Sequence, residues 1–395
     1  MNTSSEDAVE MASRKIQIHV LFSLSFLAIV GNSAVILNLV RKRIRGRSFG
    51  NIDHLILQLA ISDLLVGFFC LAADGAWKYT YWWLAGNSAC KFVKFMQMLA
   101  LYCSTYTIVS IAIDRCIAIR ASCGLSRTSH RQVVKIMSLF ACTMSVFCSL
   151  PQIYIFRSIA SPFDSENGFH EQCVTYGAYT EEWQEPAYIL FTCAAMFILP
   201  LIIIIISYTL IFKKIHDESE FRSEVFTHGV KRVAFFYSAA GDHRDALMKK
   251  AKMKALCVSM LVIVTFLLCW APYYISVLYY VLANKPQKEE SGNAERIFQV
   301  IFFFGMSNSV FNPLIYGAFH MAQRSRAAWK RWQSRTTTYA GSFKSMNANG
   351  LRLEETTPVF SPLSRANTFT ARTNRQLFNK QHRFTSVCAV KSLDV

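Results

Sequence analysis

SIAIDRCIAI, residues Ser110–Ile119, sets an acid beside a base in a run that is otherwise almost wholly apolar. An isolated charge in an apolar medium is costly, so such a pair persists where its members satisfy each other or mark a functional route. The surroundings decide between these. The stretch closes an apolar block, Ala89 to Ile119, and six comparable blocks accompany it: Ile16 to Val40, Ile52 to Trp77, Val133 to Phe156, Ala187 to Phe212, Ala255 to Leu282 and Ile297 to Phe319. Each is long enough to cross a bilayer core of roughly 30 Å, which takes about 20 helical residues. Apolar residues gathered in blocks, in a chain that is 53% hydrophobic, exclude an ordinary soluble domain.

Lys and Arg set the orientation, because cytoplasmic loops carry their excess. With the N-terminus outside, inner segments 41–51, 120–132, 213–254 and 320–395 carry +5, +3, +4 and +10, while the outer segments carry −1, +1, −5 and 0. The formal charge of +17 is therefore topology and inner-leaflet contact, and nothing favours nucleic-acid binding. The first block is too long and too well flanked for a cleaved signal region and reads as a retained span. Twelve cysteines contain no CxxC pair, which leaves a zinc or redox site without support. Cys90 and Cys173 both fall at the oxidising outer face and are expected to be bonded. Asn2-Thr3-Ser4 is a glycosylation sequon on the outer tail, residues 1–15.

The spans occupy 16–319. AFHMAQRSRAAWKRW (Ala318 to Trp332) interleaves aromatic and basic residues as a surface helix does, giving an amphipathic eighth helix over 320–333. Beyond it, 334–395 is rich in Ser and Thr, lacks an apolar period and reads as a disordered tail open to phosphorylation.

Five motifs fall in order on these spans: GN (Gly31-Asn32), LAISDLL (Leu59 to Leu65), IDRCIAI (Ile113 to Ile119), FLLCWAPYY (Phe266 to Tyr274) and NPLIY (Asn312 to Tyr316). Together they resemble the rhodopsin-like G-protein-coupled receptors. The resemblance implies an all-α membrane protein, a bundle of seven transmembrane helices. It also implies a plasma-membrane location with the N-terminus outside, a heterotrimeric G protein as partner, arrestin at a phosphorylated tail, and no enzymatic activity. Pro272 and Pro313 each remove an intrahelical hydrogen bond, so spans six and seven can bend near Trp270 and Asn312.

Within that resemblance, Asp114, Arg115, Tyr208, Asn312, Pro313 and Tyr316 form the G-protein switch. Asp114 holds Arg115 at rest and releases it when span six moves outward. Asn32, Asp63, Ser104 and Asn308 belong with Asn312 to a water pocket that takes a sodium ion beside Asp63; no other cofactor is implied. Cys116 stands where Tyr is usual. KKAKMK (Lys249 to Lys254) replaces the acid many receptors carry at the inner end of span six, which removes a salt-bridge lock from Arg115 to that helix.

Span seven has no Lys for a retinal Schiff base, and Gln97 replaces the carboxylate that amine receptors need in span three. DGAWKYTYWWLAGNSACK (Asp74 to Lys91), PQIYIFR (Pro151 to Arg157), QCVTY (Gln172 to Tyr176) and NPLIYGAF resemble the gonadotropin-releasing-hormone and adipokinetic-hormone receptors, over roughly Gly31 to Phe319. The implied ligand is a short peptide hormone, and the implied contacts are Asp74, Trp77, Lys94, Gln97, Trp270, Tyr273 and Tyr280. Asp74 and Trp77 are three apart and share a helix face, and the −5 outer loop is expected to make the entrance acidic. FVKFMQ (Phe92 to Gln97) is similar instead to the vasopressin and oxytocin receptors, and Cys142 stands where span four usually has Trp. A seven-span transporter is the alternative from another class; it calls for internal repeats or a continuous path of intramembrane charge, and neither is visible.

Overall fold

The computed structural model describes residues 3–120, 127–160, 171–227, 241–282 and 292–318. Seven of its helices are long and apolar enough to cross a membrane: Val9–Ile44, Asn51–Thr80, Gly86–Arg120, Ser129–Ile155, Gln184–Asp217, Met253–Tyr279 and Ile297–Ala318, called spans one to seven. The expected eighth helix at 320–333, the tail and Asn2 lie outside the described residues, as does the side chain of Tyr280.

Span three is the axis: 67% of its most apolar window is buried, against 22% for span one. Large apolar side chains such as Phe140, Phe147 and Leu268 stand on the outside of the bundle. Water would penalise such a surface, and hydrocarbon does not.

Two features add to the sequence reading. The first helix runs from Thr3 to Ile44 and so continues the apolar block through residues 3–15, which no Gly or Pro interrupts. The bundle is all-α as expected, with a short hairpin beside it in the loop after span four. Strands β1 (Arg157–Ala160) and β2 (Glu171–Val174) form an antiparallel pair after span four, with Ser158 opposite Cys173. The Cys90–Cys173 disulfide pins β2 to the start of span three, and Trp83, Trp77 and Phe156 pack around it.

The spans depart from regular α-helix where other groups can cover the freed carbonyls. Span two contains a π-helical segment, Val66–Ala72, between α-helical Asn51–Leu65 and Ala73–Thr80. Ser25 of span one donates its hydroxyl to the Gly67 carbonyl at 2.9 Å, and the Gln97 amide donates to the Phe69 carbonyl at 2.9 Å. Span five has a second π segment, Ala194–Ile198, just ahead of Pro200, whose missing N–H breaks the ladder there in any case. In span seven, Pro313 cannot donate to the carbonyl of Ser309 four residues earlier. Asn32 Nδ2 donates to it instead, at 3.0 Å. This demands close approach of spans one and seven, and Gly31 permits it, since a Cβ there would lie 2.8 Å from Pro313 Cγ. Gly305 does the same for the Trp270 ring, 2.8 Å from where its Cβ would stand.

Asn32→Ala should therefore leave a buried carbonyl unpaired and destabilise the bundle by about 1–3 kcal/mol. A lowered unfolding midpoint of the purified, detergent-solubilised protein checks this; an unchanged midpoint would mean that Ser309 finds another donor.

Candidate functional site

A cavity of about 710 Å³ opens between the first three spans, the last two and the β hairpin; this end is called outer, and the opposite end inner, after the orientation expected from the sequence. Asp74, Trp77, Lys94 and Tyr273, all singled out in the sequence, line it. Asp74 and Trp77 follow the π segment of span two and face inward together. Gln97 Nε2 donates to Asp74 Oδ1 at 2.7 Å, and the Lys94 ammonium stands 4.0 Å from the same oxygen. Among the described residues no group bonds Asp74 Oδ2. Gln97 is not part of the cavity wall: it braces Asp74 from behind while capping the π segment.

Trp77 is more constrained than a free stacking platform. Its indole N–H donates to Gln172 Oε1 at 3.1 Å, Lys94 Nζ lies 4.8 Å from its ring centroid, and Trp83 meets it edge to face at 5.7 Å. Trp270, 4% exposed, lies outside the wall, packed edge to face on Tyr273 and Phe302 at 6.1 Å each. The sequence reading missed Gln172, Lys78, Phe302 and Arg14. Lys78 donates to Gln299 at 3.1 Å and adjoins Trp77 in the chain, which was a signal. Arg14 carries none, because nothing in residues 1–15 marks them as a continuation of the first span.

The acidic entrance expected from the second outer loop rests in part on Asp164 and Glu166, which lie outside the described residues. Arg14, Lys78 and Lys94 stand against Glu10 and Asp74, and among the described residues only Gln172 reaches the wall from the acidic second outer loop. Adjacent strand residues point oppositely. With Gln172 turned inward, Glu171 bonds the Ser158 hydroxyl across the hairpin.

Deeper in the bundle, Asp63 is fully buried and accepts from Ser104 at 2.9 Å and Asn312 at 2.8 Å. Asn308 precedes Asn312 by one turn, and Asn32 adjoins through Ser309. The side-chain oxygens of Asn32, Asn308, Asn312 and Tyr316 are buried with no protein partner. Such a set of oxygens around a carboxylate fits a hard monovalent cation or ordered water.

At the inner end, Asp114 and Arg115 are both buried, and Arg115 donates to Asp114 Oδ2 through Nε at 3.0 Å and through its terminal nitrogen. His130, which the sequence did not flag, brings Nε2 within 3.0 Å of Asp114 Oδ1. Among the described residues Arg115 forms no ion pair with span six. The tie to span six comes from Tyr208 of span five, whose hydroxyl lies 3.0 Å from Ser259 Oγ. Cys116, replacing the usual Tyr, is buried in the apolar core.

Residues 31–316 match the family described as 7 transmembrane receptor (rhodopsin family). The chain is 36% identical to the gonadotropin-releasing hormone receptor of Octopus vulgaris, over 76% of this chain and 70% of that receptor. It is 31% identical to the gonadotropin-releasing hormone II receptor of Callithrix jacchus, over 78% and 77%. It is 27% identical to the gonadotropin-releasing hormone receptor of Rattus norvegicus, over 78% and 90%. With seven apolar helices enclosing an outer cavity, a buried carboxylate core and an inner Asp-Arg pair, the chain belongs to the rhodopsin family of seven-transmembrane receptors: multi-pass signalling proteins, not enzymes.

Proposed function

We propose that this protein is a plasma-membrane neuropeptide receptor with its N-terminus outside. It takes a short peptide hormone of the gonadotropin-releasing-hormone or adipokinetic-hormone kind in the outer cavity. It then activates a heterotrimeric G protein of the phospholipase-C-coupled class, and arrestin follows at the phosphorylated tail. The observation that carries this reading is Asp74, held by Gln97 and Lys94 at the wall of a cavity large enough for several peptide residues. Lys94, Lys78 and Gln172 offer donors to peptide carbonyls, including those of a blocked N-terminus or a C-terminal amide, and Asp74 Oδ2 offers an acceptor. A peptide donor at Asp74 Oδ2 pulls on the carboxylate that Gln97 grips through Oδ1, and a shift that loosens Gln97 frees the Phe69 carbonyl of the π segment. Ligand occupancy is thereby coupled to the packing of spans two and three.

At the inner end, outward movement of span six breaks the Tyr208–Ser259 bond and opens the space in which Arg115 leaves Asp114 for the G protein. A sodium ion held by Asp63, Ser104 and the unpaired oxygens of Asn308 and Asn312 would neutralise the buried carboxylate and stabilise the resting state.

Three outcomes test this. Asp74→Asn keeps shape and removes charge; with amidated short peptides and a calcium readout, potency should fall roughly 10- to 150-fold, the loss of one charge-assisted hydrogen bond of about 1.5–3 kcal/mol. Unchanged potency for every active peptide would make Asp74 structural. Arg115→Ala should retain surface expression and peptide binding while signalling collapses, and wild-type signalling would remove the role given to Arg115. Replacing sodium by a bulky organic cation should raise agonist affinity in the wild type and leave Asp63→Asn indifferent; equal sensitivity in both would place the sodium effect elsewhere.

A further inference from the structure

A second cavity, of about 360 Å³, lies at the ends of spans one, two and four opposite to the hormone cavity. Its wall carries Arg43 from the end of span one, His54 from span two, and Arg131 and Lys135 from the start of span four, over an apolar floor that includes Phe49 and Val134. No carboxylate lines it. The nearest acid in the chain, Asp53, is already held by Lys42 at 2.7 Å and by the Gly50 N–H at 2.8 Å. Among the described residues no acid pairs with Arg43, Arg131 or Lys135. Arg43 is steadied by the Phe49 ring, with its guanidinium carbon 5.7 Å from the centroid. Like charges converging on one concavity repel each other and focus a positive field into it, an arrangement relieved by an anion from outside the chain.

With the basic segments in the cytosol, this cavity stands at the depth of the inner-leaflet headgroups. Basic pockets between spans on that side take anionic headgroups. We propose that it binds the headgroup of an inositol phospholipid bearing phosphate monoesters. Each monoester carries about −1.5 to −2 charge near neutral pH and offers several acceptor oxygens, so such a headgroup matches three cations, where phosphatidylserine, with no monoester, underfills the site. The neighbouring surface favours a lipid over a free phosphate. Leu139 lies one turn beyond Lys135 on the same face of span four, and Ile136, Leu139 and Phe140 are all exposed on the outside of the bundle. Acyl chains on a bound headgroup have that apolar strip to lie against.

The test uses the full-length protein in phosphatidylcholine nanodiscs with a photoactivatable phosphatidylinositol bisphosphate, displaced by unlabelled competitors. Unlabelled phosphatidylinositol bisphosphate should displace the probe at far lower concentration than phosphatidylserine or soluble inositol trisphosphate. Combining Arg43→Gln, Arg131→Gln and Lys135→Gln should weaken binding about 100-fold, the scale set by three basic groups at an anionic surface. Lys135→Gln alone, at an exposed position, should weaken it several-fold without altering the unfolding midpoint. Arg41→Gln, Arg45→Gln and Arg47→Gln together remove equal charge beside the cavity and should leave binding near the wild-type level. An equal loss in that control set would show diffuse attraction and overturn the site. Equal competition by inositol trisphosphate would make it a site for soluble phosphates, and displacement of the probe by added G protein but not by lipid would assign the cavity to the protein interface; either result overturns the proposal.

Discussion

Asp63 has no exposed surface, and its two carboxylate oxygens accept from Ser104 on span three and Asn312 on span seven. Lipid removes most of the hydrophobic drive that would press helices together in water, so van der Waals fit and buried polar links must hold the bundle. This link joins spans two, three and seven at the depth where an unpaired polar group is most expensive. A neighbouring one brings in span one: Pro313 frees the Ser309 carbonyl, Asn32 satisfies it, and Gly31 allows the approach. The same proline that weakens span seven as a helix thus creates the acceptor that ties it to span one.

The two ends of the bundle are organised around carboxylates of different kinds. Asp74, at the outer cavity, is partly exposed and braced by an amide and an ammonium from span three, so one of its oxygens remains available to a ligand. Asp114, at the inner end, is fully buried, with Arg115 donating to Oδ2 and His130 Nε2 standing 3.0 Å from Oδ1. The first arrangement suits recognition. The second suits a latch, because separating the pair is tolerable only when a partner offers Arg115 a new acceptor.

Irregular backbone shapes the first of these. A π segment in span two is stable only because Ser25 and Gln97 cap its carbonyls, and Gln97 is the same side chain that grips Asp74. Backbone geometry, cavity shape and charge at the wall are therefore set by one residue on span three. The Cys90–Cys173 disulfide and the aromatic corner of Trp77, Trp83 and Phe156 hold the remaining wall by fastening the hairpin to span three.

Much of this was legible in the chain. The spans follow from apolar block length, the shared face of Asp74 and Trp77 from their spacing of three, and the Asp114–Arg115 pair from adjacency. All are local properties, governed by helix period and by transfer free energy residue by residue. The contacts between elements were not legible: Gln97 as a cap, Gln172 on Trp77, Ser259 on Tyr208, His130 on Asp114, and the run of the first helix that puts Arg14 at the outer cavity. Each depends on the register between elements distant in sequence, and a π segment shifts that register by an amount no periodic count contains. Only the packed bundle decides which donor stands opposite which orphaned acceptor, because burial makes that pairing obligatory and leaves its partners to be chosen by geometry.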